Sequence, residues 1–353
     1  MRVTSSPKCV VRQAAISAGL SLGLLVCLGL SACGGNHSAG SRRAPEALSA
    51  LSGKPVTSED QSILAVKVEN TSAARPQTGL SAADIVYVEQ VEGGITRLAA
   101  IYSSTLPDRV GPIRSARITD VDLLAQFGHI AFAYSGVQPK MVPVLDAANL
   151  TLLREVRNEA WVRATDRSAP HNLYGVPDKL IESAKVKSGV IASARDMGWV
   201  FNSQVPAGGA AVRKVRAPFP AEDFIIRWDG EKWSLQSGED DIVDGVAKIH
   251  PATIIVQFVV QRPSEFHGHG GSVTPKDETI GSGTAVMLRD GQLWQINWAR
   301  ADAESATAYT NTDGSPVSFA PGGMWVMLMD KSRSVSVSYA PDPASSAPAE
   351  PAP

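Results

Sequence analysis

Asp84-Ile85-Val86-Tyr87-Val88-Glu89-Gln90-Val91-Glu92-Gly93-Gly94 is the stretch whose reading decides the fold. Ile85, Tyr87, Glu89 and Val91 fall on one face and Val86, Val88, Gln90 and Glu92 on the other, the period of a β-strand over 84–92. Gly93 and Gly94 supply a turn that tolerates positive φ, so 95–102 returns as the hairpin partner. Working outward, 63–68 reads as a further strand and 129–134 as a short one. Residues 118–127 predict a helix, with Thr119 at the N-cap and Asp120 and Asp122 in its first turn. The segments 178–187 and 190–197 also read as helical.

Residues 61–205 therefore form a mixed α/β N-terminal domain. Pro206, Gly208, Gly209, Pro218 and Pro220 interrupt regular structure, and 206–218 is placed as the linker. The following stretch, 219–339, reads as a mostly antiparallel β domain. Asp229-Gly230, Asp290-Gly291 and Asp313-Gly314 each sit between β-rich runs, and Asp-Gly is a favoured hairpin turn. Residues 253–260 form an apolar run expected to be buried on both faces. The expected class is α+β, with hairpins packed as a small sheet or sandwich.

The ends read differently. Arg2, Lys8 and Arg12 precede an apolar run over 14–30, and Leu30-Ser31-Ala32-Cys33 closes it with small residues before a cysteine. This is the layout of a lipoprotein signal peptide at 1–32, with the Cys33 thiol taking a diacylglyceryl (palmitate-type) membrane anchor. The Ser/Gly/Ala/Pro-rich stretch 33–60 reads as a flexible tether, and 340–353 as a disordered Pro/Ala tail. Cys9 and Cys27 leave with the signal, so the mature chain is expected to hold no free thiol and no disulfide. The expected location is the extracytoplasmic face of the cell membrane. A net charge of -2 gives no bulk attraction to nucleic acid.

The polar residues that can carry chemistry gather in the N-terminal domain. Arg75, Arg97, Arg114, Arg117, Arg167, His171 and Asn172 are the expected ligand-binding set, because paired guanidinium forks hold carboxylate or phosphate. On a helix Arg114 and Arg117 would share a face; on a strand they would not. The competing reading pairs these arginines internally with Glu89, Glu92, Asp120 and Asp122. Glu89, Glu92, Asp120 and His171 are the catalytic candidates for hydrolysis of a cell-wall polymer, although two glutamates three apart on a strand face opposite sides. The aspartates also suit a helix N-terminus without any catalysis. His267-Gly268-His269 invites a metal, but no partner carboxylate has ligand spacing, and no metal is expected. Trp228, Trp233, Trp294, Trp298 and Trp325 could stack on sugar rings; the alternation of Trp294, Ile296 and Trp298 favours core packing. No phosphate loop, nucleophile elbow or dinucleotide fingerprint occurs, so no cofactor is expected.

Ala74-Arg75-Pro76-Gln77-Thr78-Gly79-Leu80, Val91-Glu92-Gly93-Gly94-Ile95-Thr96-Arg97, Val110-Gly111-Pro112-Ile113-Arg114-Ser115-Ala116-Arg117 and Ala169-Pro170-His171-Asn172-Leu173-Tyr174 resemble the YerB-type lipoproteins. Gly281-Ser282-Gly283 and Ala320-Pro321-Gly322-Gly323-Met324-Trp325 extend the likeness to the second domain. The resemblance implies a two-domain extracytoplasmic lipoprotein of unknown function and carries no reaction with it. The reading reached is an anchored binding or accessory protein of the cell envelope, with an anion-binding cleft built from the Arg114 loop, the 167–172 loop and the Gly93 hairpin. The partner is an anionic envelope polymer or a protein. The alternatives are a cell-wall hydrolase using paired carboxylates and a structural adaptor.

Overall fold

The computed structural model describes residues 47–58, 60–268 and 270–340. Alternation in the first strand sets the architecture. In β1 (Leu64–Glu69) Leu64, Val66 and Val68 enter one apolar core while Ala65 enters another, so both faces of the strand are covered. β2 (Ile85–Gln90) and β3 (Thr96–Tyr102) repeat the pattern, with Val86, Val88, Leu98 and Ala100 in the first core and Ile85, Tyr87, Ala99 and Ile101 in the second. Side chains alternate across a pleated strand, so each core draws on one parity of residue number. β2 and β3 form the expected hairpin, Ile85 opposite Ile101 and Glu89 opposite Arg97. The strand ends two residues early, at Gln90: Glu92–Gly94 is a 3-10 turn with Gly93 and Gly94 at φ 70° and 75°.

Helix α1 (Ile118–Ala125) follows, and Leu123, Leu124 and Phe127 pack into the second core. Its N-cap is Arg117, in extended conformation, and not Thr119; the Asp120 carboxylate takes the Arg117 N–H at 2.6 Å. β4 (Ile130–Tyr134) and β5 (Leu150–Arg154) run parallel to β1. α2 (Pro177–Ser188) is the expected helix, but 190–197 is not helical. Gly189, at φ 81°, ends the helix, and the Ala192 and Ala194 N–H groups are taken by the carbonyls of His129 and Gln61.

In the C-terminal region β6 (Ala210–Pro218), β7 (Asp223–Trp228) and β8 (Trp233–Ser237) form an antiparallel meander. Ala210–Pro218 is thus a nine-residue strand where a linker was expected; its prolines and glycines sit before it and at its end. β9 (Thr253–His267) pairs with β10 (Val273–Glu278) at its far end and with β11 (Gly281–Arg289) near its start, and β11 pairs with β12 (Gln292–Arg300). Asp290 and Gly291 make a two-residue turn between β11 and β12, both at positive φ, 47° and 71°.

β13 (Met324–Asp330) joins the two regions. It lies between β9 and β2, parallel to both, so one hydrogen-bonded sheet runs in the order β8-β7-β6-β12-β11-β9-β13-β2-β3-β1-β4-β5. A separate small sheet or sandwich for the C-terminal strands is therefore not what forms: the apolar edge of β13 is consumed by β2. Strands dominate and helices are few, with a mixed sheet in the N-terminal region and mainly antiparallel pairing in the C-terminal one.

The part of the expected tether that is described packs against this sheet. Leu51 and Ser52 are fully buried, and the hydroxyls of Ser49 and Ser52 donate to the buried Asp84 carboxylate. The expected signal peptide, Cys33 and residues 341–353 lie outside the described residues. No described helix is long and apolar enough to cross a membrane.

Candidate functional site

Polar side chains take over at one end of the second core. Glu89, Arg97 and Glu69 stand in one row across β2, β3 and β1, since Arg97 is opposite Glu89 in one pairing and Glu69 in the other. Lys67 shares their face, two residues before Glu69. It is fully buried and meets the carboxylates of Glu89 and of Asp120, the latter at 2.8 Å. Burial lowers its ammonium pKa to about 8, against the upward pull of Asp120. Glu89 and Asp120 have no solvent exposure and both face Lys67, Asp120 also capping α1, while Glu89 Oε2 has no partner among the described residues. A solvent-reaching pair of catalytic carboxylates is not formed by these two residues.

The segment after β3 carries the arginines. It is extended, held by Arg114 N–H to the Lys67 carbonyl at 2.8 Å and by Ala116 N–H to the Gly136 carbonyl at 2.9 Å. Arg114 and Arg117 therefore diverge. Arg114 Nε lies 3.1 Å from Glu69, whose other oxygen is 2.9 Å from His171 Nδ1. Arg117 reaches Glu92 Oε2 with Nε at 2.8 Å and Nη2 at 2.7 Å. Glu92 also accepts from the Thr274 hydroxyl. Burial opposes ionisation of Glu92, but Arg117 and Thr274 outweigh it and hold the carboxyl below its ordinary value.

Arg97 differs from both. Among the described residues its side chain makes no ion pair within 4 Å, and its one side-chain hydrogen bond goes from Nη1 to the Ser115 carbonyl at 2.9 Å. It is 8% exposed. Burial, then the neighbouring Arg117 charge, brings its pKa down to about 9. Three guanidiniums thus face two carboxylates, Glu69 and Glu92, while deeper in the core Lys67 faces two more.

A cleft of about 350 Å³ opens beside this cluster. Glu92, Ser115 and Arg117 form its polar wall, Met141 and Phe266 contribute apolar surface, and His267 stands at the tip of the β9–β10 hairpin. Gln138 Oε1 is buried there with no hydrogen-bond partner among the described residues.

The remaining expected residues lie elsewhere. Arg75 bridges Glu222 and Asp240, at 3.0 and 2.9 Å, and ties the N-terminal region to the β7–β8 end of the sheet. Arg167 is spent on the carbonyls of Ala74 and Pro76, and Asn172 on Arg163 and the Ala164 carbonyl. The 167–172 loop therefore reaches the cluster only through His171. Among the described residues no group of three or more His, Cys, Asp or Glu can hold a metal, and His269 lies outside them. Trp233, Trp294, Trp298 and Trp325 are core residues, while Trp228 is half-buried.

Sequence reasoning missed Lys67, Glu69, Gln138 and Phe266 as site residues. Lys67 and Glu69 carried a signal, two charges on one face of an otherwise apolar strand. Gln138 sits on a loop and Phe266 near the end of β9, far apart in sequence, and only the fold brings them to one cleft.

The chain belongs to the family described as "Protein of unknown function (DUF3048)". Its N-terminal domain matches residues 50–199 and its C-terminal domain residues 215–326. A relative in Bacillus subtilis (strain 168), "Putative lipoprotein YerB", is 26% identical over 282 residues, covering 78% of this chain and 83% of its own. The crystal structure of the YerB protein from Bacillus subtilis has the same fold, with a TM-score of 0.70 at 24% identity over 83% of this chain and all of that one. The resemblance expected from the Arg-Pro-Gln and Gly-Pro-Ile-Arg-Ser-Ala-Arg strings is thus a family relation.

Proposed function

We propose that this protein is a lipid-anchored binding protein of the cell envelope, attached outside the membrane through Cys33, and that the Arg97–Arg114–Arg117 cluster receives an anionic ligand. The name of the Bacillus relative and the signal layout before Cys33 support the anchor. The single observation that supports an anion is Arg97, a nearly buried guanidinium beside two others that pairs with no carboxylate among the described residues. Uncompensated buried charge is costly, and a phosphate or carboxylate would relieve it with paired hydrogen bonds. The adjoining cleft, with polar and apolar walls, offers room for the group that carries the anion.

The test is binding of teichoic-acid and peptidoglycan fragments to the chain and to Arg114→Ala/Arg117→Ala. The double variant should bind at least about tenfold more weakly, the effect of losing one or two charge-assisted contacts. Equal binding by both forms overturns the anion site. Separately, Cys33→Ala should abolish lipid labelling, and undiminished labelling removes the anchor.

A further inference from the structure

A second cleft, of about 320 Å³, opens at the turn between β7 and β8. Trp228 and Trp233 face each other across that hairpin, their rings 4.9 Å apart and inclined at 55°. Three other buried indoles each donate to a carbonyl: Trp199 to Thr307 at 2.8 Å, Trp294 to Ala207 at 3.1 Å and Trp298 to Phe258 at 3.0 Å. Trp233 does not. It is 1% exposed, and its Nε1–H has no acceptor among the described residues. Buried donors without a partner are rare in folded proteins, and this one belongs to a residue lining a cleft.

The rest of the cleft narrows what that acceptor belongs to. Trp228 is half-buried and its pyrrole edge is pinned against Gly291, where an added Cβ would lie 2.6 Å from Nε1. The rim loop is fixed, because the Asp229 carboxylate accepts from the N–H groups of Glu231 and Lys232 at 2.8 and 2.7 Å. His250 Nδ1 lies 2.8 Å from the Trp233 carbonyl, which makes it the donor and leaves Nε2 as an acceptor. Arg289 lines the cleft but is spent on Asp290 and the carbonyls of Ser318 and Asn202. The cleft therefore offers an aromatic surface and, on a residue of its wall, a buried lone N–H donor, while Glu231 at the rim is an acceptor and Lys232 a donor.

We propose that this cleft is a sugar-binding subsite, in which Trp228 stacks on the apolar face of a pyranose ring and Trp233 Nε1–H donates to a hydroxyl oxygen of the same ring. Aromatic faces pair with the C–H side of such rings while the hydroxyls need donors and acceptors at the rim. A quaternary ammonium, the other usual guest of indole surfaces, has no acceptor to give Trp233.

The test is an NMR titration of the full chain in a sugar-free detergent, following the indole N–H signals. The probes are the β-1,4-linked tetramer of N-acetylglucosamine and maltotetraose, with tetramethylammonium chloride, which has no acceptor, as the contrasting cation. At least one sugar should move the Trp233 signal downfield to saturation while those of Trp199, Trp294 and Trp298 stay in place. Trp228→Ala should weaken that binding about tenfold, and Trp228→Tyr, which keeps an aromatic face, about threefold or less. No movement of Trp233 with either sugar at about 50 mM, a concentration above the weakest useful affinities, overturns the proposal whatever the variants do. So does a response to tetramethylammonium as large as the response to sugar.

Discussion

Arg97 stands directly opposite Glu69 in the pairing of β1 with β3, yet Glu69 gives its oxygens to Arg114 and His171. The cross-strand partner that would neutralise Arg97 is thus taken by a neighbouring arginine and a histidine. Replacing a buried charge by an apolar side chain of similar volume is often neutral or stabilising. Arg97→Met should therefore change unfolding free energy by less than about 1 kcal/mol, the lost Ser115 hydrogen bond offsetting the relief. Binding of a phosphate-bearing fragment should fall at least about tenfold. A variant that unfolds readily in urea would show that Arg97 is a structural residue.

Lys67 makes the opposite prediction. It is the shared cation of Glu89 and Asp120, and all three are fully buried. Lys67→Met strands two carboxylates in the core, for which about 3–5 kcal/mol is the usual cost of breaking a buried pair. Adding Glu89→Gln and Asp120→Asn should recover part of that loss. Urea unfolding of the single and triple variants measures both, and a single-variant loss under about 1 kcal/mol would remove the network from the account of stability.

Much of this was legible and some was not, for physical reasons. The hairpin at Gly93-Gly94 and the buried run in β9 follow from alternation and positive-φ glycine, both local properties. The continuous sheet did not, because β13 finds β2 over a separation of more than 200 residues and no local pattern records that pairing. Arg114, Arg117 and His171 were readable as polar residues in turns. Their convergence with Arg97 on Glu69 and Glu92 depends on the extended segment after β3 being clamped to β1. The absent 190–197 helix shows tertiary pairing overriding local propensity, since its N–H groups are claimed from outside.

Gly291 fixes the two-residue turn between β11 and β12. With φ at 71° and Trp228 against its Cα, it has neither the conformational nor the spatial room for a side chain. Gly291→Ala should cost about 1–3 kcal/mol through strain and displacement of the indole. It should also shift the fluorescence of Trp228. An unchanged melting temperature and spectrum would mean that the β11–β12 turn relaxes freely.

Asp277 on β10 predicts the pH dependence. It is fully buried, and burial pushes its carboxyl from 3.8 to about 7, with Gln261 at 2.9 Å and the Lys67 charge pulling the other way. Below the unfolded value the group is protonated in both states and imposes no penalty. As pH rises through that value and on towards 7, the unfolded chain releases the proton while the fold retains it, so the folded state loses stability. At 1.36 kcal/mol per pH unit the loss is of the order of 4 kcal/mol by pH 8. Glu92, held below its ordinary value, acts only at the acid end of this window, and Lys67 only above about 8. Asp277→Asn keeps an oxygen for Gln261 and removes the titration. Urea unfolding at pH 5 and pH 8 should then show a smaller decline for the variant than for the natural chain. Parallel declines in the two would place the pH dependence on some other group.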